Sequence, residues 1–338
     1  MIRIVMDTLG GDNSPRANVE GAVDALRSHP DLYIIFTGDE AAITACLAEL
    51  DFRDTTRYGI VHAPEEITGE DVPTDAIRLK KNSSMMTAVR LLREDDTLAG
   101  MVSTGSTGAL VAAGTLRVGR LEGVIRPTLC PVLPSMTGGL VGVCDSGANV
   151  DCTSDQLVQF AIMGSLYMES TFGISSPRVG LLNVGTESEK GDALRKETYK
   201  RLSELKGINF QGNMESRELL ADKFDLVVCD GFSGNVLIKS VEGTALQLLK
   251  RIKRDIYSKN RYKFGALFMK QMFREEKEFM NYQNYGGSVL IGARKMMVKG
   301  HGSSDARGVS VCIGQALRMA ESGLNAKIEA SIAEFFDA

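Results

Sequence analysis

The sequence has 338 residues, with 43% apolar and 24% charged side chains and a formal charge of −4. A chain of that length forms one large domain or two ordinary ones and buries about 75% of its unfolded surface, so it needs no disulfide or metal staples. Six cysteines without a Cys-x-x-Cys pair exclude a zinc ribbon and a disulfide framework, and fit buried thiols in a reducing cytosol.

The first apolar run, Ile2–Met6, soon meets acids, unlike a signal peptide, and predicts a strand. Leu9-Gly10-Gly11-Asp12 turns, and Ser14-Pro15 opens a helix that continues through Ala17–Leu26. The alternation repeats as strand Leu32–Phe36, helix Glu40–Leu50, strand Gly59–His62, helix Ser84–Arg93, strand Gly100–Ser103 and helix Ala109–Arg117. Pro127, Pro131, Pro134 and clustered glycines then break any helix until strand Leu140–Cys144. Helix Asp155–Met168, strand Val179–Val184, helix Ala193–Leu205, strand Ile208–Gln211, helix Glu215–Leu220, strand Leu226–Cys229 and helix Gly234–Ile256 follow, and the proline-free remainder reads as dominated by helix. The uncharged runs 97–116 and 127–144 hold too much Gly, Ser, Thr and Pro for lipid-facing spans. Such alternation predicts βαβ units: a three-layer α/β/α fold with a mainly parallel sheet, residues 1–338 forming one unit of two intimately packed lobes that share a sheet system.

Ligands of open parallel sheets bind at the carboxyl ends of strands. Here those ends carry Gly with small polar residues at 7–12, 103–108, 183–187 and 230–235, and a fifth cluster spans 299–305. Backbone amides at such turns attract anions. There is no Gly-x-Gly-x-x-Gly and no P-loop, no Gly-x-Ser-x-Gly elbow, and only three histidines. No His/Glu spacing suggests a metal, and no cofactor is implied. What remains is a site that positions an anion with amides and a cation. Lys190, just past Gly185-Thr186-Glu187, is the best cation, and Asn235, taken to begin a helix, could donate to a developing oxyanion. Each also has a plain structural reading, as a solvated lysine and an N-cap.

Seven segments carry a family resemblance: 6–15, Ser103-Thr-Gly-Ser-Thr-Gly-Ala-Leu110, Asp145-Ser-Gly-Ala-Asn-Val-Asp151, Asn183-Val-Gly-Thr-Glu187, Cys229-Asp-Gly-Phe-Ser-Gly-Asn-Val236, Asn284-Tyr-Gly-Gly287 and His301-Gly-Ser-Ser-Asp305. In this order they resemble the bacterial phosphate acyltransferases of phospholipid synthesis (PlsX type). The resemblance implies transfer of a fatty acyl group from acyl carrier protein to inorganic phosphate, a homodimer, and a fold like the isocitrate and isopropylmalate dehydrogenases and phosphate acetyltransferase. It puts Lys190 and Asn235 on catalytic positions. The matching loops make Gly105, Ser106, Thr107, Gly108, Asn149, Gly185, Thr186, Gly234, His301 and Ser303 candidates for phosphate or substrate. Thr8, Leu9, Asn13, Thr104 and Ser106 depart from the family pattern. A short-chain acyl-coenzyme A donor is the alternative; a non-catalytic membrane scaffold and a decarboxylating dehydrogenase are weaker ones.

The modest net charge hides an asymmetry. Residues 250–274 hold nine Lys and Arg against one acid, Asp255, interleaved with Tyr262, Phe264, Phe268 and Met272 beside Lys263 and Lys270. Phe264–Phe268 and Phe268–Met272 are i, i+4 pairs, predicting a basic amphipathic helical protrusion over 250–285. It suits an anionic membrane surface, giving a cytoplasmic enzyme peripheral on the inner face of the cell membrane. A dimer-facing helix and a dock for the acidic carrier protein are the other readings. A nucleic-acid partner has no motif behind it.

Overall fold

A computed structural model describes residues 1–279 and 281–336. The first lobe begins β1 (Ile2–Asp7), α1 (Arg16–Ser28), β2 (Leu32–Gly38), α2 (Glu40–Glu49), β3 (Tyr58–His62), α3 (Pro73–Leu79), α4 (Ser84–Glu94), β4 (Leu98–Ser103) and α5 (Thr107–Ala113). β5 (Thr128–Cys130) still belongs to the first sheet, and the second lobe holds β6 (Val132–Pro134), β7 (Leu140–Cys144), α6 (Ser154–Phe172), β8 (Val179–Asn183), α7 (Ala193–Glu204), β9 (Phe210–Glu215), β10 (Leu226–Val228) and α8 (Gly231–Ser258). The chain ends with α9 (Asn260–Phe268), α10 (Lys270–Phe279), β11 (Ser288–Ile291), β12 (Met296–Lys299), α11 (Ala306–Ser322) and α12 (Leu324–Phe336).

The sheet system consists of two hydrogen-bonded sheets, ordered β3-β2-β1-β4-β12-β11-β5 and β6-β7-β10-β8-β9. Pairing is parallel except at β11 and β6. β5 closes one sheet, β6 opens the other, and Pro131 stands between them. β1 lies between β2 and β4, which is why Ile4, Val5 and Met6 form an unbroken buried run with helices on both sides. The return of the chain through β11 and β12 joins the C-terminal segment to the first sheet, next to β4.

Several expected elements differ. The stretch read as helix Glu215–Leu220 is a single 3-10 turn, Ser216–Glu218, because β9 continues to Glu215 in register with β8. β5 and β6 fall where the prolines read as breaking any helix and the sequence predicts no strand; Pro134 is tolerated because β6 is an edge strand. α3, β11 and β12 also escaped the sequence reading. Helix α8 begins at Gly231, capped by Asp230 accepting from the Ser233 N–H, so Asn235 sits in its second turn rather than at its start. The basic protrusion is not one continuous helix. Extended Lys259 ends α8, and Met269 breaks the chain between α9 and α10. Phe264 and Phe268 do stack edge to face, 5.4 Å apart, but Phe268 and Met272 lie on different helices and share no helical face.

Candidate active site

Three strand ends of the first sheet meet through close backbone contacts. A Cβ on Gly10 would lie 2.3 Å from the Gly105 nitrogen, so only glycine lets these two loops touch. The Asp12 N–H donates to the Gly302 carbonyl at 2.7 Å. Asn13 holds the same loop, its amide donating to the Ser303 and Ser304 carbonyls. Beneath them Asp7 is buried and accepts from Ser103 Oγ at 2.7 Å and from Ser84. Burial pushes the Asp7 carboxyl up, while the two serines pull it back.

Lys299, at the end of β12, is buried beside this acid. Its Nζ donates to the Thr104 carbonyl at 3.2 Å and to the Gly300 carbonyl. Burial pulls its ammonium down to about 8, against the opposing influence of Cys312 and Asp7. His301, two residues on, is also held below its ordinary range, by burial first and then by the positive charge of Lys239. The His301 Nδ1 lies 2.8 Å from Ser303 Oγ and 3.2 Å from the Ser303 backbone nitrogen, which fixes the ring against the 301–304 turn.

The second sheet supplies the facing wall. Asp145 is buried at the end of β7 and accepts from the Leu129, Gly147, Ala148 and Asn149 N–H groups. Burial raises its carboxyl, and these bonds oppose the rise. The N-terminus of α8 packs on this loop: a Cβ on Gly234 would meet the Asp145 carbonyl at 1.9 Å. Arg195 of α7 ion-pairs with Asp230, which ties the 184–192 loop to the same helix start.

Between the two walls lies a polar cleft of ≈ 190 Å³. Thr107, Ser146, Asn235, Lys239, Lys299 and His301 reach it from both sheets. Of the sequence candidates, Thr107, Asn235 and His301 are brought together there. Ser303 lines an adjoining groove. Lys190 is exposed on the loop after β8 and does not line the cleft, nor do Gly185 and Thr186. Ser106 caps α5 by accepting from the Ala109 N–H, and Gly105 and Gly108 pack against Met85 and Pro73. The Asn149 amide is committed to the Pro127 carbonyl and Asp145, which gives it a loop-building role, and Gly234 serves close packing. Lys299 and Lys239 were missed. The signal for Lys299 was available, since it heads the Gly-rich cluster, but burial is invisible in sequence. The thiols of Cys152 and Cys312 are pushed up to about 12 by burial, which removes them as nucleophiles near neutral pH.

Fold and cleft together define a two-sheet α/β protein with a polar, cation-bearing cleft between its lobes. Solved structures share this fold: a phosphotransacetylase from Streptococcus pyogenes (TM-score 0.61, 16% identity, 95% of this chain and 94% of that one) and a branched-chain phosphotransacylase from Enterococcus faecalis (TM-score 0.59, 14% identity, 95% and 99%). The family described as fatty acid synthesis protein matches residues 2–327. Phosphate acyltransferases from Bacillus subtilis and Clostridioides difficile are 42% and 41% identical, covering 98% and 95% of this chain and 98% and 93% of theirs. The chain belongs to this family.

Proposed function

We propose that the protein transfers a fatty acyl group from the thioester of acyl carrier protein to inorganic phosphate, giving acyl phosphate for phospholipid synthesis. The observation that carries this reading is the convergence of Asn235, Lys299 and His301 on one polar cleft, in a chain belonging to a family with phosphate acyltransferase members. A phosphate oxygen attacks the thioester carbon, the C–S bond breaks, and the leaving thiolate takes the phosphate proton. The nucleophile comes with the substrate, so no Ser or Cys need supply one. Asn235 donates to the carbonyl oxygen as negative charge develops there; its amide makes no hydrogen bond among the described residues. Lys299 balances the charge of phosphate from below. Lys190, on the loop tied through Arg195 to the α8 start, holds phosphate from the open side. The enzyme works as a homodimer, peripheral to a membrane.

The test is phosphate-dependent release of free carrier protein from palmitoyl carrier protein. Asn235→Ala is expected to lower kcat by ~10²–10³-fold. Equal turnover of short-chain acyl-coenzyme A would favour the alternative donor, and near wild-type acyl phosphate formation by both Lys190→Ala and Asn235→Ala would remove their assignments.

A further inference from the structure

A second cavity of ≈ 420 Å³ opens directly from the polar cleft, sharing Leu133, Lys239, Glu242 and His301 with it. Its character changes away from that junction. Val241, Ala245, Leu246 and Leu249 of α8 form one wall, and Leu133, Pro134 and Leu220 form the other. Positions 241, 245 and 249 repeat every four residues, so they line one helical face for over two turns. Leu246 and Leu249 remain 56% and 39% exposed. Exposed leucines lead away from a pair of charged side chains and an imidazole: the site is polar at one end and apolar along its length.

Resting on the phosphate acyltransferase reading, we propose that this groove holds the hydrocarbon chain of the acyl donor, carbonyl end toward Asn235 and methyl end toward Leu249. The occupant is amphiphilic in the same sense as the site, which joins a polar reacting end to an unbranched apolar tail. Each methylene accommodated strengthens binding about fourfold. The groove therefore makes long acyl chains the preferred substrates. Ala245, the small residue midway along the wall, sets how far the chain can run.

The experiment compares octanoyl, dodecanoyl and hexadecanoyl thioesters as donors to wild type, Ala245→Trp and Leu249→Ser, alongside displacement of a bound fluorescent fatty acid by octanoate and hexadecanoate. Wild type should favour the longest chain. Ala245→Trp should lose at least tenfold in kcat/KM on hexadecanoyl donor, keep octanoyl turnover within about twofold, and leave KM for phosphate unchanged. Leu249→Ser, at an exposed position that does not threaten folding, should weaken hexadecanoate more than octanoate. Losses equal at every chain length, or a changed oligomeric state in light scattering with no change in chain preference, would overturn the groove; the second result would assign this face to another copy of the chain. Length-dependent fatty-acid binding without acyl phosphate formation would instead sink the activity reading and leave the groove standing.

Discussion

The proposed anion-holding roles of Lys299 and Lys190 differ in kind. An exposed lysine is a solvated, screened charge, whereas a buried one acts in a medium that strengthens every charge–charge contact. Lys299 has two of its three protons engaged by backbone carbonyls and lies in the cleft wall, so its charge is fixed in place. Replacing it with Met should weaken phosphate binding by ~10–150-fold, the range for a lost hydrogen bond to a charged group. The pH dependence has a definite sign. The ammonium titrates at about 8, below the ordinary lysine range, so it is charged at neutral pH and loses its proton as pH rises through that value. KM for phosphate should climb above pH 8, and Lys299→Arg should remove the climb; a KM flat from pH 7 to 9 in wild type would refute the role. The sequence offered Asn235 because it follows a Gly-rich strand end, and Thr107 and His301 because their loops match the family resemblance. It singled out Lys190 and did not weigh Lys299, whose burial only the folded chain reveals.

At the scale of elements, the cleft depends on how α8 is seated. Asp230 caps it, Arg195 grips the cap, and Gly234 lies so near the Asp145 carbonyl that no side chain fits. Gly234→Ala should therefore lower stability by about 1–3 kcal/mol or more through overpacking, and should lower activity beyond that by shifting Asn235. Calorimetry and kcat on the same preparation separate the two effects; an unchanged Tm would contradict the packing. Long amphipathic helices and the parallel βα alternation were legible, since their periodicity survives without tertiary context. Of the three- and four-residue strands, β10 was legible as an apolar run, whereas β5, β6, β11 and β12 were not, because so short a run carries no period of its own and is held by its neighbours in the sheet. The break at Met269 was equally hidden: i, i+4 spacing describes a face only while the helix continues.

Across the whole molecule, the basic segment 250–274 and the cleft occupy different places. α8 leaves the cleft carrying Asn235, passes the apolar groove, and ends at the α9–α10 protrusion, where Phe264, Leu267 and Phe268 are 65%, 67% and 80% exposed. Lys259 and Arg261 lie over the Tyr262 ring at 5.4 and 5.0 Å, placing cations beside the exposed aromatics. No helix among the described residues is long and apolar enough to cross a bilayer, so attachment through this segment would be to one face. Each Lys or Arg near an anionic surface adds about 1 kcal/mol, and each buried methylene about 0.8 kcal/mol. Both contributions are needed for firm binding, and they respond differently to salt. Raising ionic strength should weaken attachment to anionic vesicles without abolishing it, whereas Phe264→Ser, Phe268→Ser and Met272→Ser together should abolish it and leave turnover of a soluble donor intact. Because Phe264 and Phe268 share α9 while Met272 lies on α10, the two phenylalanines alone should account for most of the loss. Sedimentation with phosphatidylglycerol vesicles, against phosphatidylcholine controls, reads all three expectations, and undiminished binding of the triple variant would assign the protrusion to a protein partner instead.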